Sequence, residues 1–270
     1  PARRRGWCFA PASATQNVTI GAAGSLGRVL LNKTGTLATS GAVAVQYGTA
    51  VLGLDTTVTA AGTLTTDAGA TLAGTGFVTN AIGGAGLVAP GNSPGILTAG
   101  SLDASAGTAF AFEFTGTAPN FGSRDASVND VLRLTDPTTP FAASLTAANV
   151  LDVYFDVGSL TSGDTFRGGF YTDRSDSFWS MISGADFNYW VSGTGVGQTT
   201  YNEKTYIPLA TFSPTLQVSA TTVTQSANFG AGNVDGQVTQ FTVIVPEPAA
   251  IALAGIGAAC AGFMAWRRRR

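Results

Sequence analysis

Carboxylates are the side chains this sequence leaves for acid-base chemistry. The 270 residues include no histidine and two cysteines, which removes serine–histidine triads, histidine-ligated metals and cysteine–histidine nucleophiles together. The acidic candidates gather in the second half: Asp152 with Asp156, Asp164, and Asp173 and Asp176 around Arg174. Asp152 and Asp156 sit four residues apart on one strand face, about 13 Å along it, beyond the roughly 5–9.5 Å that paired catalytic carboxylates need. They read as a solvated strand face. Asp173-Arg174-Ser175-Asp176 follows a strand and reads as a turn with a local ion pair. No calcium-binding repeat or EF-hand loop appears, and the glycine run at 193–197 has no following helix to cradle a phosphate. Neither a metal nor a cofactor is expected. Trp179, Tyr189, Trp190, Tyr201 and Tyr206 either stack on sugar rings or fill a core, and core is the expectation. The chain is read as non-enzymatic; the alternative is a carbohydrate-binding or carbohydrate-active protein using these Asp and aromatic residues.

The charges are unevenly placed. Arg3, Arg4 and Arg5 stand near the start and Arg267, Arg268, Arg269 and Arg270 at the end, while residues 6–266 hold 7 basic and 16 acidic side chains. An acidic body repels phosphates, so nucleic acid is not an expected partner. Cys8 and Cys260 lie near opposite ends, and no structural disulfide is expected. Residues 249–266 carry no charge and are long enough to cross a bilayer as a helix, given a rise of about 1.5 Å per residue and a hydrocarbon core of roughly 30 Å. The four arginines that follow act as a stop-transfer plug and place the C-terminus in the cytoplasm, with the body outside.

Immediately before that span stands Val245-Pro246-Glu247-Pro248. The two prolines hold the segment extended, the form in which proteases bind peptides, and Glu247 offers a charge at the membrane surface. A Pro-Glu-Pro motif, an apolar helix and a terminal arginine cluster, in that order, resemble the PEP-CTERM sorting signal of exported bacterial proteins. The resemblance covers about the last 25 residues and implies a transient partner, a membrane-embedded exosortase, besides membrane lipid and an exopolysaccharide matrix. Residues 1–15 hold only a short apolar run, Gly6-Trp7-Cys8-Phe9-Ala10, and are expected to be a truncated leader or a disordered N-terminus.

The elements that must carry any site are short strands. Residues 16–118 alternate small apolar pulses, Val18 and Ile20, Val29 to Leu31, Val43 and Val45, with glycine, asparagine and aspartate turns. Gly35-Thr36-Leu37 returns as Gly62-Thr63-Leu64, with an echo at Ala70-Thr71-Leu72. Strands this short bury a face only when stacked in rungs, although a sandwich of antiparallel strands has the same periodicity. Ala89-Pro90-Gly91-Asn92-Ser93-Pro94-Gly95-Ile96-Leu97-Thr98, with the Gly/Thr-rich stretch before it, resembles the passenger repeats of autotransporters, which implies a right-handed parallel β-helix. Phe110, Phe112 and Phe114 alternate as a half-buried strand. Residues 119–245 hold most aromatics and acids and are expected to continue or cap the coil, covering edges that would otherwise template aggregation. Short helices are expected near 141–148 and 177–183. The whole reads as all-β: a right-handed parallel β-helix (solenoid) over 16–118, a β-rich cap over 119–245, and a sorting tail over 246–270 with one transmembrane helix at 249–266. The expected role is that of an exported, surface-associated structural or adhesive protein.

Overall fold

β-Branched residues between glycines favour short extended segments, because branching at Cβ crowds a helix and packs well on a pleated surface. In the computed structural model, which describes residues 17–32, 34–91, 94–117, 128–229 and 233–245, the chain is all-β apart from two four-residue helices. The chain opens with β1 (Val18–Ile20), β2 (Arg28–Leu31) and β3 (Gly35–Ala38), then β4 (Val43–Val45), β5 (Thr49–Leu52) and β6 (Thr56–Thr59). It continues through β7 (Leu64–Thr66), β8 (Thr71–Gly74), β9 (Phe77–Gly84), β10 (Leu87–Pro90) and β11 (Ile96–Asp103) to β12 (Ala109–Phe114), β13 (Val131–Leu134), β14 (Val150–Phe155) and β15 (Thr165–Thr172). Helix α1 (Trp179–Ile182), β16 (Asp186–Ser192), β17 (Thr199–Tyr201), β18 (Lys204–Pro208), helix α2 (Leu209–Phe212), β19 (Gln217–Asn228) and β20 (Asn233–Ile244) complete it.

These strands form two sheets. One runs β1-β4-β7-β9-β11-β13-β15-β20-β19, with β3 and β6 joining at β9; the other runs β17-β18-β16-β14-β12-β10-β8-β5-β2. Pairing is parallel up to β15 and β16, then turns antiparallel where β20 meets β15 and β18 meets β16. The register keeps apolar residues over apolar residues. Val18, Val43, Leu64 and Ile82 lie in one column, and Val29, Ala50, Leu72, Val88, Phe110, Leu151 and Phe187 in another. In the first column successive members lie roughly 20 residues apart in sequence. Leu37, Leu64 and Leu72 sit on β3, β7 and β8, in three different columns, so the Gly-Thr-Leu echo does not follow the register. The register is pinned by the apolar columns, because a one-residue slip would turn the apolar set outward.

Two glycines show how tightly successive passes approach. Gly74 and Gly84 end β8 and β9 at φ +108° and +107°, and a Cβ on either would overlap the carbonyl oxygen of Leu52 or Thr66 in the preceding pass. Only glycine meets both demands.

Three clusters exclude water. The central one lies between the sheets and is richest in aromatics, with the Phe170 ring edge-on to Phe110 and Phe112 at 5.1 and 5.2 Å and Phe241 edge-on to Phe114 at 5.3 Å. The other two lie on the outer faces, each under a hairpin. The β19–β20 hairpin reaches back so that Ala227 and Phe229 cover Ile96, Val131 and Tyr171, whose hydroxyl donates to the carbonyls of Gln225 and Val234. The β17–β18 hairpin brings Tyr201 and Tyr206 over Ala89, Ala111 and Tyr154. Helix α1 falls within the expected 177–183, but 141–148 is not helical. There Ala142 N–H donates to Leu102 O and Leu145 N–H to Met181 O, while Thr146 and Asn149 close a turn whose Asn149 Nδ2 donates to Ala104 O, so the segment is held by neighbouring strands and one local turn. Among the described residues no helix is long and apolar enough to cross a membrane. The expected span 249–266, Pro246, Glu247, Pro248, Arg267, Arg268, Arg269, Arg270 and the expected leader at 1–15 lie outside the described residues.

Candidate functional site

Strand β12 alternates Phe110, Phe112 and Phe114 inward with Ala109, Ala111 and Glu113 outward, so Glu113 belongs on a face that water should reach. It is nevertheless fully buried. The β17–β18 hairpin covers it and supplies its partners: Lys204 Nζ donates to Oε1 at 2.6 Å, the Tyr206 hydroxyl to Oε1 at 3.0 Å, and Asn202 Nδ2 to Oε2 at 3.0 Å. Lys204 Nζ also lies 2.6 Å from Asp156 Oδ2. Beside this group, fully buried Asp130 accepts from the Glu113 N–H at 2.8 Å and the Gly95 N–H at 2.9 Å. Asp130 thereby ties β12 to Gly95, the residue before β11. Its neighbour Asn129 accepts from Thr115 N–H and donates to Gly116 O and Arg167 O, closing the same corner.

Burial raises the Asp130 carboxyl well above the usual carboxylate range, with the Glu113 charge adding to the effect; the two N–H donors and Lys204 oppose it. For Lys204, burial works against the charge, but hydrogen bonds to Asp156 and Glu113 together with their charges hold the ammonium above its ordinary value. Burial also raises Tyr201 and Tyr206, reinforced by the carboxylates beside them. A general base must reach the proton it takes. Both Glu113 oxygens are occupied under a covering hairpin, so the group as arranged clamps the hairpin to the sheet. Among the described residues no three or more carboxylate or thiol groups converge to hold a metal ion.

The acids singled out in the sequence are dispersed. Asp152 accepts from Asn188 Nδ2 and Trp190 Nε1 on the neighbouring strand, and Asp156 pairs with Lys204, so both are half-buried and partnered where a solvated face was expected. Asp164 caps its own turn through Thr161. Arg174 does pair locally with Asp176 at 3.2 Å, but Asp173 turns to Arg133 on β13, bidentate at 2.9 and 2.6 Å, and that guanidinium lies 4.0 Å over the Phe229 ring. The glycine run at 193–197 is a loop.

The aromatics divide between two faces. Trp179 and Tyr189 join Phe187 at the end of the central core, whereas Tyr154 is sandwiched between Trp190 and Tyr201, with centroids 6.1 and 4.3 Å away and planes within 17° and 8°. Tyr189 stacks on Phe155 and Phe187, whereas Tyr206 meets Tyr154 edge-on. A shallow groove of about 430 Å³ runs elsewhere, past Asn80, Gly100, Ser101 and Asp136. The Thr139 and Thr138 N–H groups hold the Asp136 carboxyl below its usual range.

Glu113, Asp130, Asn202 and Lys204 were not legible as a group. The one local signal was an acid set in the most aromatic strand of the chain, between Phe112 and Phe114.

The other candidate begins where β20 ends. Val245 is half exposed, its N–H 3.3 Å from Ser162 Oγ, so the last described residue stands at the surface. Residues 245–270 match the PEP-CTERM protein-sorting motif. The match contains Val245, Pro246, Glu247 and Pro248 and the terminal arginines 267–270, and it supports export with sorting by an exosortase. Neither the curated proteins nor the solved structures give a match to the chain.

Proposed function

We propose that this is an exported bacterial surface protein with a structural or adhesive role and no catalytic step, delivered by its C-terminal tail. The observation that carries the proposal is the sorting motif at 245–270, which starts at half-exposed Val245, directly after β20. In this reading residues 249–266 cross the membrane as a helix, Arg267, Arg268, Arg269 and Arg270 hold the inner side, and an exosortase acts at Val245-Pro246-Glu247-Pro248. The body is a right-handed β-solenoid of the autotransporter-passenger kind. Its support is the parallel stacking of β1 through β16, with apolar columns that return about every 20 residues at the start. Membrane lipid is the transient neighbour and exopolysaccharide the matrix around the released body.

The carbohydrate-active alternative draws less support, because the acids are partnered and the rings pack against one another. Fractionation tests the proposal. In a host with an exosortase the body should appear at the cell surface and be digested by added protease. Replacing Pro246, Glu247 and Pro248 with alanine should leave it in the membrane fraction. A body that stays in the cytoplasm with the motif intact would overturn the reading.

A further inference from the structure

Strands β12 and β14 lie side by side with Glu113 opposite Tyr154, and two residues beyond Tyr154 the chain places Asp156 on the same outward face. Lys204 and Tyr206, two apart on β18, reach down onto that face. Lys204 Nζ therefore stands 2.6 Å from Glu113 Oε1 and 2.6 Å from Asp156 Oδ2 at once. The two carboxylates are not alike. Glu113 has no exposed surface and is held by Tyr206 and Asn202 as well, whereas Asp156 keeps 28% of its side chain exposed and, among the described residues, gives its carboxylate to Lys204 alone. The Asp156 N–H is fixed on Phe114 O at 2.8 Å, so the side chain starts from a set point. An amine, a carboxyl carbon and a proton carrier are held within reach of one another.

We propose that Lys204 and Asp156 condense to an internal amide, an isopeptide bond from Nζ to Cγ, with Glu113 carrying the protons. The Lys204 ammonium passes one proton to Glu113, which hands it to an Asp156 oxygen, and the freed lone pair on Nζ attacks Cγ. A second Nζ proton travels through Glu113 to that same oxygen. The Cγ–O bond then breaks, and water leaves with its electron pair through the exposed side of Asp156. The third proton stays on the amide nitrogen, and Glu113 ends as the carboxylate it was. Nothing is oxidised or reduced, and the net charge of the group is unchanged. Holding the two reactants together supplies the orientation that a separate amine and acid lack. The product exchanges an ion pair, with its desolvation cost, for a neutral amide whose N–H stays beside Glu113. The bond joins residues 48 apart in sequence, which restricts the unfolded chain and fastens the β17–β18 hairpin covalently to the sheet. It forms once per chain and adds no turnover. Newly folded chain holds the ion pair, and urea comparisons of Lys204 variants concern that open form.

Intact mass tests this on the full chain, made in a host without an exosortase and held folded in detergent micelles at neutral pH. The mass should fall by one water, and trypsin should release a branched peptide that joins the segments around Asp156 and Lys204 and is uncut after Lys204. Asp156→Ala and Lys204→Arg should keep the full mass. Glu113→Gln should close about 100- to 10,000-fold more slowly, the range a positioned proton carrier supplies; closure at the native rate would remove Glu113 from the step. A native chain that keeps the full mass while its circular dichroism shows the folded β form would overturn the proposal. So would loss of water without the branched peptide, as from a succinimide at Asp235-Gly236, or loss of water that persists in Asp156→Ala. If Glu113→Gln fails to fold, the native mass and the branched peptide decide alone.

Discussion

Lys204 places one ammonium 2.6 Å from each of two carboxylates, and the more buried of them, Glu113, has no exposed surface. Removing one partner of a buried pair leaves the other charge stranded at about 3–5 kcal/mol. Lys204 itself is 39% exposed, so solvent screens part of that. Lys204→Met is expected to lower unfolding free energy by about 2–4 kcal/mol in urea titrations, and Lys204→Arg to recover much of the loss. Asp130 gives a pH signature of the opposite kind to an ordinary surface acid. Its folded value lies above the ordinary 3.8, so the folded state holds the proton more tightly. Its stabilising contribution is complete below 3.8 and is lost as pH rises through the raised folded value. Urea midpoints measured from acid to neutral pH should fall through that window in the native chain. The fall should flatten in Asp130→Asn, whatever that variant's absolute stability; an unchanged slope would show that Asp130 is not the titrating group.

The β17–β18 hairpin carries the clamp, and its turn is strained: Asn202 and Glu203 both have positive φ, 47° and 64°. Left-handed backbone costs a non-glycine residue roughly 1–2 kcal/mol, against the smaller unfolded-state entropy that glycine brings. Glu203→Gly is expected to raise stability by about 0.5–1 kcal/mol, read from the same urea curves, because Glu203 makes no contact in the clamp. Asn202→Gly should gain nothing comparable, since it forfeits the bond to Glu113. Much at this scale is legible in the sequence: the pulses at Val18, Val29 and Val43 each mark a strand. Strands β3 and β6, Gly-Thr-Leu-Ala and Thr-Thr-Val-Thr, were missed because one inward aliphatic among threonines gives no pulse. Strands β19 and β20 each run twelve residues; β19 exposes Ser219 and Thr221, while β20 buries Gln237 and Thr239, so neither shows a simple apolar pulse along its length. The clamp was invisible for another reason. Glu113 and Lys204 are 91 residues apart, and only the fold-back of a hairpin over a sheet brings them together.

Across the whole molecule, parallel pairs β11–β13 and β12–β14 carry both sheets through the region where composition changes, and the two hairpins then bind the stack on opposite outer faces. Charge asymmetry and the uncharged run near the end were plain in the sequence. The change from parallel to antiparallel pairing needed the strand order. From β1 to β20 the first sheet spans seven strand spacings, about 34 Å at roughly 4.8 Å each. Export through that tail is the claim on which the surface role rests, and the intact mass of the protein recovered from the surface of an exosortase-bearing cell measures it most directly. The expected mass is that of a body shortened near Val245, without residues 249–266 and the four arginines. A surface or cytoplasmic species that retains Arg267, Arg268, Arg269 and Arg270 would contradict it.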